Sequence, residues 1–262
     1  MRASAEASER DDVPALLDAA RLDPNPLVRV TAVRALGGLP SKQVVLGLRD
    51  LWPAAADSAR QAIVAAWSFP GMLEAGGRRE LIWVAESEQG TPAIIAGGIL
   101  IRVGGGARGP GLAALKKGMQ TAVSRDRALA TSMAPLDSPG FREVVKQAAL
   151  ELDPKVRVAA LARLARDPAE RNDALQSLGQ LAVSDRPGAD WAREAMARAG
   201  DLRVTRLLMQ DGKSPVPAKR RQAATSLLAL GDVARAAFFL ADGDVSVRTQ
   251  TACEILAASA RW

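Results

Sequence analysis

The chain has 262 residues, 48% of them hydrophobic and 24% charged, which is enough apolar material for a large buried core and excludes wholesale disorder. Thirty-five basic against 29 acidic side chains leave a net charge of +6, too modest to imply nucleic acid unless it clusters on one face. The absence of His and Tyr removes His-based triads and His-ligated zinc, and a composition dominated by Ala, Leu and Arg favours helices over sheets.

The opening segment MRASAEASERDD lacks a signal-peptide core and is too acidic for a transit peptide. Residues 1–12 are therefore read as a polar, flexible tail and the protein as cytoplasmic, with export only if an upstream signal has been removed. From Val13 to Arg21 apolar residues fall at helical spacing, LDPNP interrupts, and Leu27 to Leu39 resumes the helix, with Pro26 suited to its first turn. The longest apolar run, Pro92 to Ile101, stops at Arg102 and is about half of a membrane span, so no span is expected. GGGARGPG, Gly104 to Gly111, precedes Lys116 and Lys117. It has neither the Lys-Ser/Thr nor the preceding strand of a phosphate-binding loop, and reads as a connector.

Phe141 to Pro168 repeats the early order of apolar helix, Asp-Pro break, Val-Arg, then Ala and Leu at helical intervals. Ser184 to Asp190 is a longer loop, and Ala236 to Ala257 carries a last clear copy. The single cysteine, Cys253, excludes an internal disulfide or a cysteine metal cluster; within TQTACEILAA it is expected to pack as a small helix residue. No cofactor and no metal is expected.

Aligned on the arginine slot of the clear copies, anchors fall at Arg29, Arg60, Ala93, Arg127, Arg157, Arg193, Arg220 and Arg248. The mean step of about 31 residues is the length of two three-turn helices and two short turns. DPNPLVRVTAVRALGGL, LDPKVRVAALARL and DGDVSVRTQTACEIL resemble the HEAT repeat, in its bacterial variety with Asp-Pro before Val-Arg. The resemblance implies an all-α fold, a right-handed α-solenoid or α-α superhelix of about eight helical hairpins. Residues 13–262 then form one array, with second helices on the concave side. Asp23 with Arg29, and Asp242 with Arg248, share a six-residue spacing expected to set a carboxylate at a helix start beside a guanidinium from its own or the next repeat; Asp153 and Arg157 are four apart and expected to act locally.

Rotating the first copy at 100° per residue puts Val28, Ala32, Ala35, Leu36 and Leu39 on one side and turns Val30, Arg34 and Gly37 outward. Copying the outward offsets along the chain yields a candidate partner surface that includes Arg34, Gln61, Ile94, Ile101, Ser132, Arg198 and Thr225, with shallow apolar contacts around Ile94, Ile101 and Leu129. Arg220 and Arg221 belong to a carboxylate-poor segment, Leu202 to Thr225, that would attract an acidic partner. This surface is too neutral for a phosphodiester track. The expected function is a non-enzymatic scaffold or adaptor whose concave face binds another protein or an extended peptide, with self-association as a further arrangement. The alternatives are enzymatic: some HEAT-like proteins excise DNA bases, for which Trp52, Trp67, Trp83 and Trp191 would surround the base, and others resemble bilin lyases.

Overall fold

The computed structural model describes the backbone of residues 2–259 and the side chains of residues 12–259; most of the expected tail, and Trp262, lie outside the side chains so described. Among the described residues every regular element is helical and no strand occurs, as the composition predicts. No described helix is long and apolar enough to cross a membrane. The chain divides into two compact units, Met1–Met133 and Ala134–Trp262.

The first unit contains α1 (Arg2–Leu22), α2 (Pro26–Gly37), α3 (Lys42–Leu51), α4 (Asp57–Trp67), α5 (Pro70–Met72), α6 (Arg78–Ser87), α7 (Gly90–Val103), α8 (Arg108–Gln120) and α9 (Ser124–Met133). The chain bends between α5 and α6 at Gly76, whose φ of +120° only glycine adopts without strain. Within this unit α1 packs on α2, α6 on α7 and α8 on α9. The second unit contains α10 (Pro139–Ala148), α11 (Pro154–Leu164), α12 (Arg171–Ala182), α13 (Ala189–Arg198), α14 (Thr205–Asp211), α15 (Pro217–Ala229), α16 (Val233–Ala237) and α17 (Val245–Ser259), with α10 packed on α11, α12 on α13, α14 on α15 and α16 on α17.

The predicted anchors fall on α2, α4, α7, α9, α11, α13, α15 and α17, which stand where the expected repeat has its second helices. Each is the fourth residue of its helix except Arg193, the fifth of α13. Second helices pack on the second helices of neighbouring hairpins: α2 on α4, α4 on α7 and α7 on α9 in the first unit, and α11 on α13, α13 on α15 and α15 on α17 in the second. A helix squeezed between its own first helix and two neighbours buries a wide arc, which is why the cores are so rich in Ala.

In the first unit the core includes Leu36, Leu48, Ile63, Trp67, Met72, Leu81 and Leu100, all essentially inaccessible. Trp52 stacks on Trp67 with centroids 5.8 Å apart and meets Trp83 edge-on at 5.5 Å. The indole nitrogens of Trp52 and Trp67 donate to Glu88 Oε1 (2.9 Å) and to the Val45 carbonyl (3.4 Å). This is how a buried tryptophan satisfies its polar edge while its ring fills a gap between helices. Trp191 belongs to the second unit.

The α7–α8 crossing depends on two glycines. A Cβ on Gly111 would lie 2.7 Å from the Gly97 carbonyl oxygen, so the backbones touch where any side chain would part them. The expected connector Gly104 to Gly111 is corrected: Gly104, with φ +74°, ends α7, Gly105–Ala107 form a 3-10 turn and Arg108 to Gly111 are the first turn of α8.

Candidate functional site

Helix α2 shows what a second helix leaves open. Asn25 caps it by accepting the Leu27 N–H, and Pro26 opens the first turn, where its missing donor costs nothing. Ala32, Val33, Leu36 and Gly37 are buried; Val28, Thr31, Arg34 and Ala35 are exposed. The predicted outward triplet is therefore corrected: Arg34 faces solvent and Val30 is half-buried, but Gly37 lies against Phe69 and Ala66 of the next hairpin, and Val28 and Ala35, expected inside, are out. The residue five beyond the arginine slot is exposed again as Ala65 in α4, Arg198 in α13 and Cys253 in α17, but half-buried as Ser132, Ala162 and Thr225 and buried as Gly98.

The remaining candidates divide. Gln61, Leu129 and Ser132 are half-buried, and the Ser132 hydroxyl donates to its own helix at the Leu129 carbonyl (2.7 Å). Ile101 is half-buried, and a Cβ on Gly111 of α8 would lie 3.1 Å from it. Ile94 does not lie on an open face: it is 2% exposed and lines a cavity of about 290 Å³ bounded by the end of α6, the start of α7 and α8. Glu88 and Lys117 line the same cavity, and the Glu88 carboxylate is held by Trp52.

In the second unit the structure brings Arg221 and Thr225 together with neighbouring second helices as rungs. Arg221 donates to Ser246 Oγ (2.7 Å). Thr225 donates to Glu254 Oε1 (3.1 Å) and accepts from Gln250 (3.2 Å). Gln222 donates to Glu194 (3.2 Å), which also pairs with Arg198 one turn on (2.6 Å). Lys219 reaches Asp190 at 3.6 Å. These contacts tie α13 to α15 and α15 to α17 along their outer faces.

Arg220 serves the fold. Its Nε and Nη2 each donate to Asp242 at 2.8 Å, and its Nη1 donates to the carbonyls of Ser214 (2.9 Å) and Pro215 (3.2 Å). The guanidinium holds the Asp242 carboxyl down to about 2, against an ordinary 3.8. An acidic partner would have to compete with this pair. Arg203 is likewise engaged by Asp201, and only Arg206 and Lys213 of the carboxylate-poor segment keep exposed side chains for which no such pairing is described.

The six-residue Asp–Arg spacing produces a related but different contact from the one expected. Arg29 Nη1 donates to the Asp23 backbone carbonyl, and Arg248 Nη1 to that of Asp242, both at 2.6 Å. The Asp23 carboxylate accepts the Asn25 N–H, and that of Asp242 accepts the Asp244 N–H together with the guanidinium of Arg220, not of Arg248. Asp153 caps α11 locally, accepting from Lys155 and Val156.

Sequence reading missed the longer-range pairs: Arg49 with buried Glu80 (2.7 Å), Arg142 with Asp167 (2.9 Å), and Arg193 with both oxygens of Asp211. For Arg193 and Arg220 the available signal is an aspartate in the next hairpin, 18 or 22 residues ahead. Cys253, expected to be packed, is exposed on α17. Among the described residues, no group of three His, Cys, Asp or Glu side chains is placed to hold a metal ion. No protein-family model matches the chain, and no curated protein matches it.

Proposed function

We propose that this chain is a HEAT-like α-solenoid of about eight hairpins, an α-α superhelix that acts in the cytoplasm as a non-enzymatic scaffold. Its concave, second-helix face binds another protein or an extended peptide. The observation that carries the reading is the recurrence of one slot at the start of eight helices, filled by arginine in seven and by Ala93 in α7, together with the packing of these helices on one another in each unit. Such an arrangement spreads a continuous surface over successive repeats instead of closing a pocket.

The chemistry of that surface suits a polypeptide. Its open positions include Arg34, Ala65 and Arg198, small or arginine-bearing sites that offer shallow contacts and forked donors to backbone and carboxylate oxygens. Acids that could otherwise serve proton transfer are bound to arginines: Glu80 to Arg49, Asp167 to Arg142, Asp211 to Arg193 and Asp242 to Arg220.

Lysine-directed crosslinking of a captured partner tests the face. Lys155 and Lys219 lie on second helices; Lys42, Lys116, Lys117 and Lys146 lie on first helices. Partner crosslinks should fall on Lys155 and Lys219. Crosslinks confined to the other four would overturn the assignment.

A further inference from the structure

We infer that the cavity between α6, α7 and α8 binds a small zwitterion, an apolar amino acid or a dipeptide of apolar residues. The inference does not rest on the partner-binding reading above. The floor of the cavity is apolar and closed: Ala85, Ala93, Ile94 and Ala114 are each at most 5% exposed. Its rim is polar, formed by Glu88, Gln89, Lys117, Gln120 and Thr121, all half-buried or exposed. A volume of about 290 Å³ stands at the small end of ligand pockets, so an aliphatic side chain fills the floor while charged groups stay at the mouth.

The rim acid is set in place by the core. Glu88 directly follows α6, and its Oε1 accepts the indole N–H of Trp52 (2.9 Å), whose ring is 3% exposed and stacked on Trp67. The second carboxylate oxygen takes no hydrogen bond among the described residues, so an anchored acceptor faces the site at little further ordering cost. From α8 the rim receives Lys117, one of the two lysines that follow the glycine-rich stretch. It is exposed and makes no ion pair among the described residues.

A ligand of one charge fits this rim poorly. An anion would be drawn to Lys117 and to the start of α7, but that start is already covered by Asp126 of α9. Thr91 donates to Asp126 Oδ1 (2.7 Å), and a Cβ on Gly90, which lines the cavity, would lie 3.5 Å from Asp126 Oδ2. An anion therefore meets the carboxylates of Glu88 and Asp126 as well as the Lys117 ammonium, while a simple cation is repelled by Lys117 and leaves the apolar floor unused. An ammonium toward Glu88, a carboxylate toward Lys117 and an aliphatic side chain over Ile94 answer each group in turn. Ala85, Ala114, Lys117 and Gln120 also line an adjoining hollow of about 360 Å³, shared with Glu86 and Lys116, which gives a second residue room to extend.

Calorimetric titration of the full chain with leucine and with leucyl-leucine tests the site. At least one should bind saturably at millimolar concentration; tighter binding of the dipeptide means that both hollows are filled, and tighter binding of leucine that the first alone is. Acetylating the amine of the better probe, or converting its carboxylate to the amide, should each weaken it about tenfold. Glu88→Gln keeps an acceptor for Trp52, and Lys117→Met keeps the stem of an exposed side chain, so helical circular dichroism and melting temperature should not change. Glu88→Gln should erase the preference for the free amine, and Lys117→Met the preference for the free carboxylate. Failure of both probes to bind would overturn the inference. So would equal binding of the blocked compounds, or binding that both variants leave unchanged.

Discussion

Arg220 and Asp242 form a two-pronged ion pair, both bonds 2.8 Å, that joins α15 to the turn preceding α17. The same guanidinium holds two carbonyls of its own preceding turn. One side chain therefore closes a turn and fixes the next hairpin to it, with 17% and 9% of the two side chains exposed. The parallel fork of an arginine suits this task; a lysine could not make both contacts with the same fixed geometry.

Removing half of that clamp should be felt across the second unit. Asp242→Asn leaves guanidinium donors without a full partner and is expected to lower unfolding stability by roughly 1–3 kcal/mol. Chemical denaturation of the two proteins side by side measures the difference. An unchanged midpoint would show that the pair contributes nothing net.

Acid should weaken the same contact. Asp242 titrates near 2 in the folded chain against an ordinary 3.8 because Arg220 and the Asp244 N–H favour its anion. A depressed folded pKa means that protonation favours the unfolded chain. The stabilisation is therefore complete above about pH 4 and is lost as pH falls through about 2. Asp167 and Asp201, each lowered chiefly by an arginine hydrogen bond, add to the loss with the same sign. Thermal unfolding followed from pH 6 to pH 2 should be steeper for the unaltered chain than for Asp242→Asn.

Gly111 and Gly106 separate packing from flexibility. Gly111→Ala drives a methyl to 2.7 Å from the Gly97 carbonyl oxygen, whereas a Cβ on Gly106 meets nothing within 4 Å. The first change should cost about 1–3 kcal/mol through overpacking, and the second should be close to neutral. Equal effects on melting temperature would show that the α7–α8 backbones do not touch as described.

Ile94 and Arg34 separate core from face. Ile94→Ala removes a side chain that is 2% exposed and is expected to cost about 2–5 kcal/mol. Arg34→Ala, on the open side of α2, should stay within about 0.5 kcal/mol while weakening partner capture. Loss of capture in Ile94→Ala at temperatures where it remains folded would move the site into the cavity.

Helix placement was legible in the sequence because it is written in local chemistry. Apolar residues at 3.6-residue spacing, Pro26 in a first turn and Gly or Asp at breaks determine where helices start and stop, and the arginine slot recurs with them. Which face each helix shows was not legible, since a second helix buries a wide arc against three neighbours and a simple two-sided wheel misplaces Val28, Ala35 and Gly37. The fate of charge was hidden for the same reason. Arg220 reads as a free cation until the turn 22 residues ahead folds back to present Asp242, and Cys253 reads as packed although α17 exposes it. Local order is encoded residue by residue; contacts between hairpins depend on distances that only the folded chain makes short.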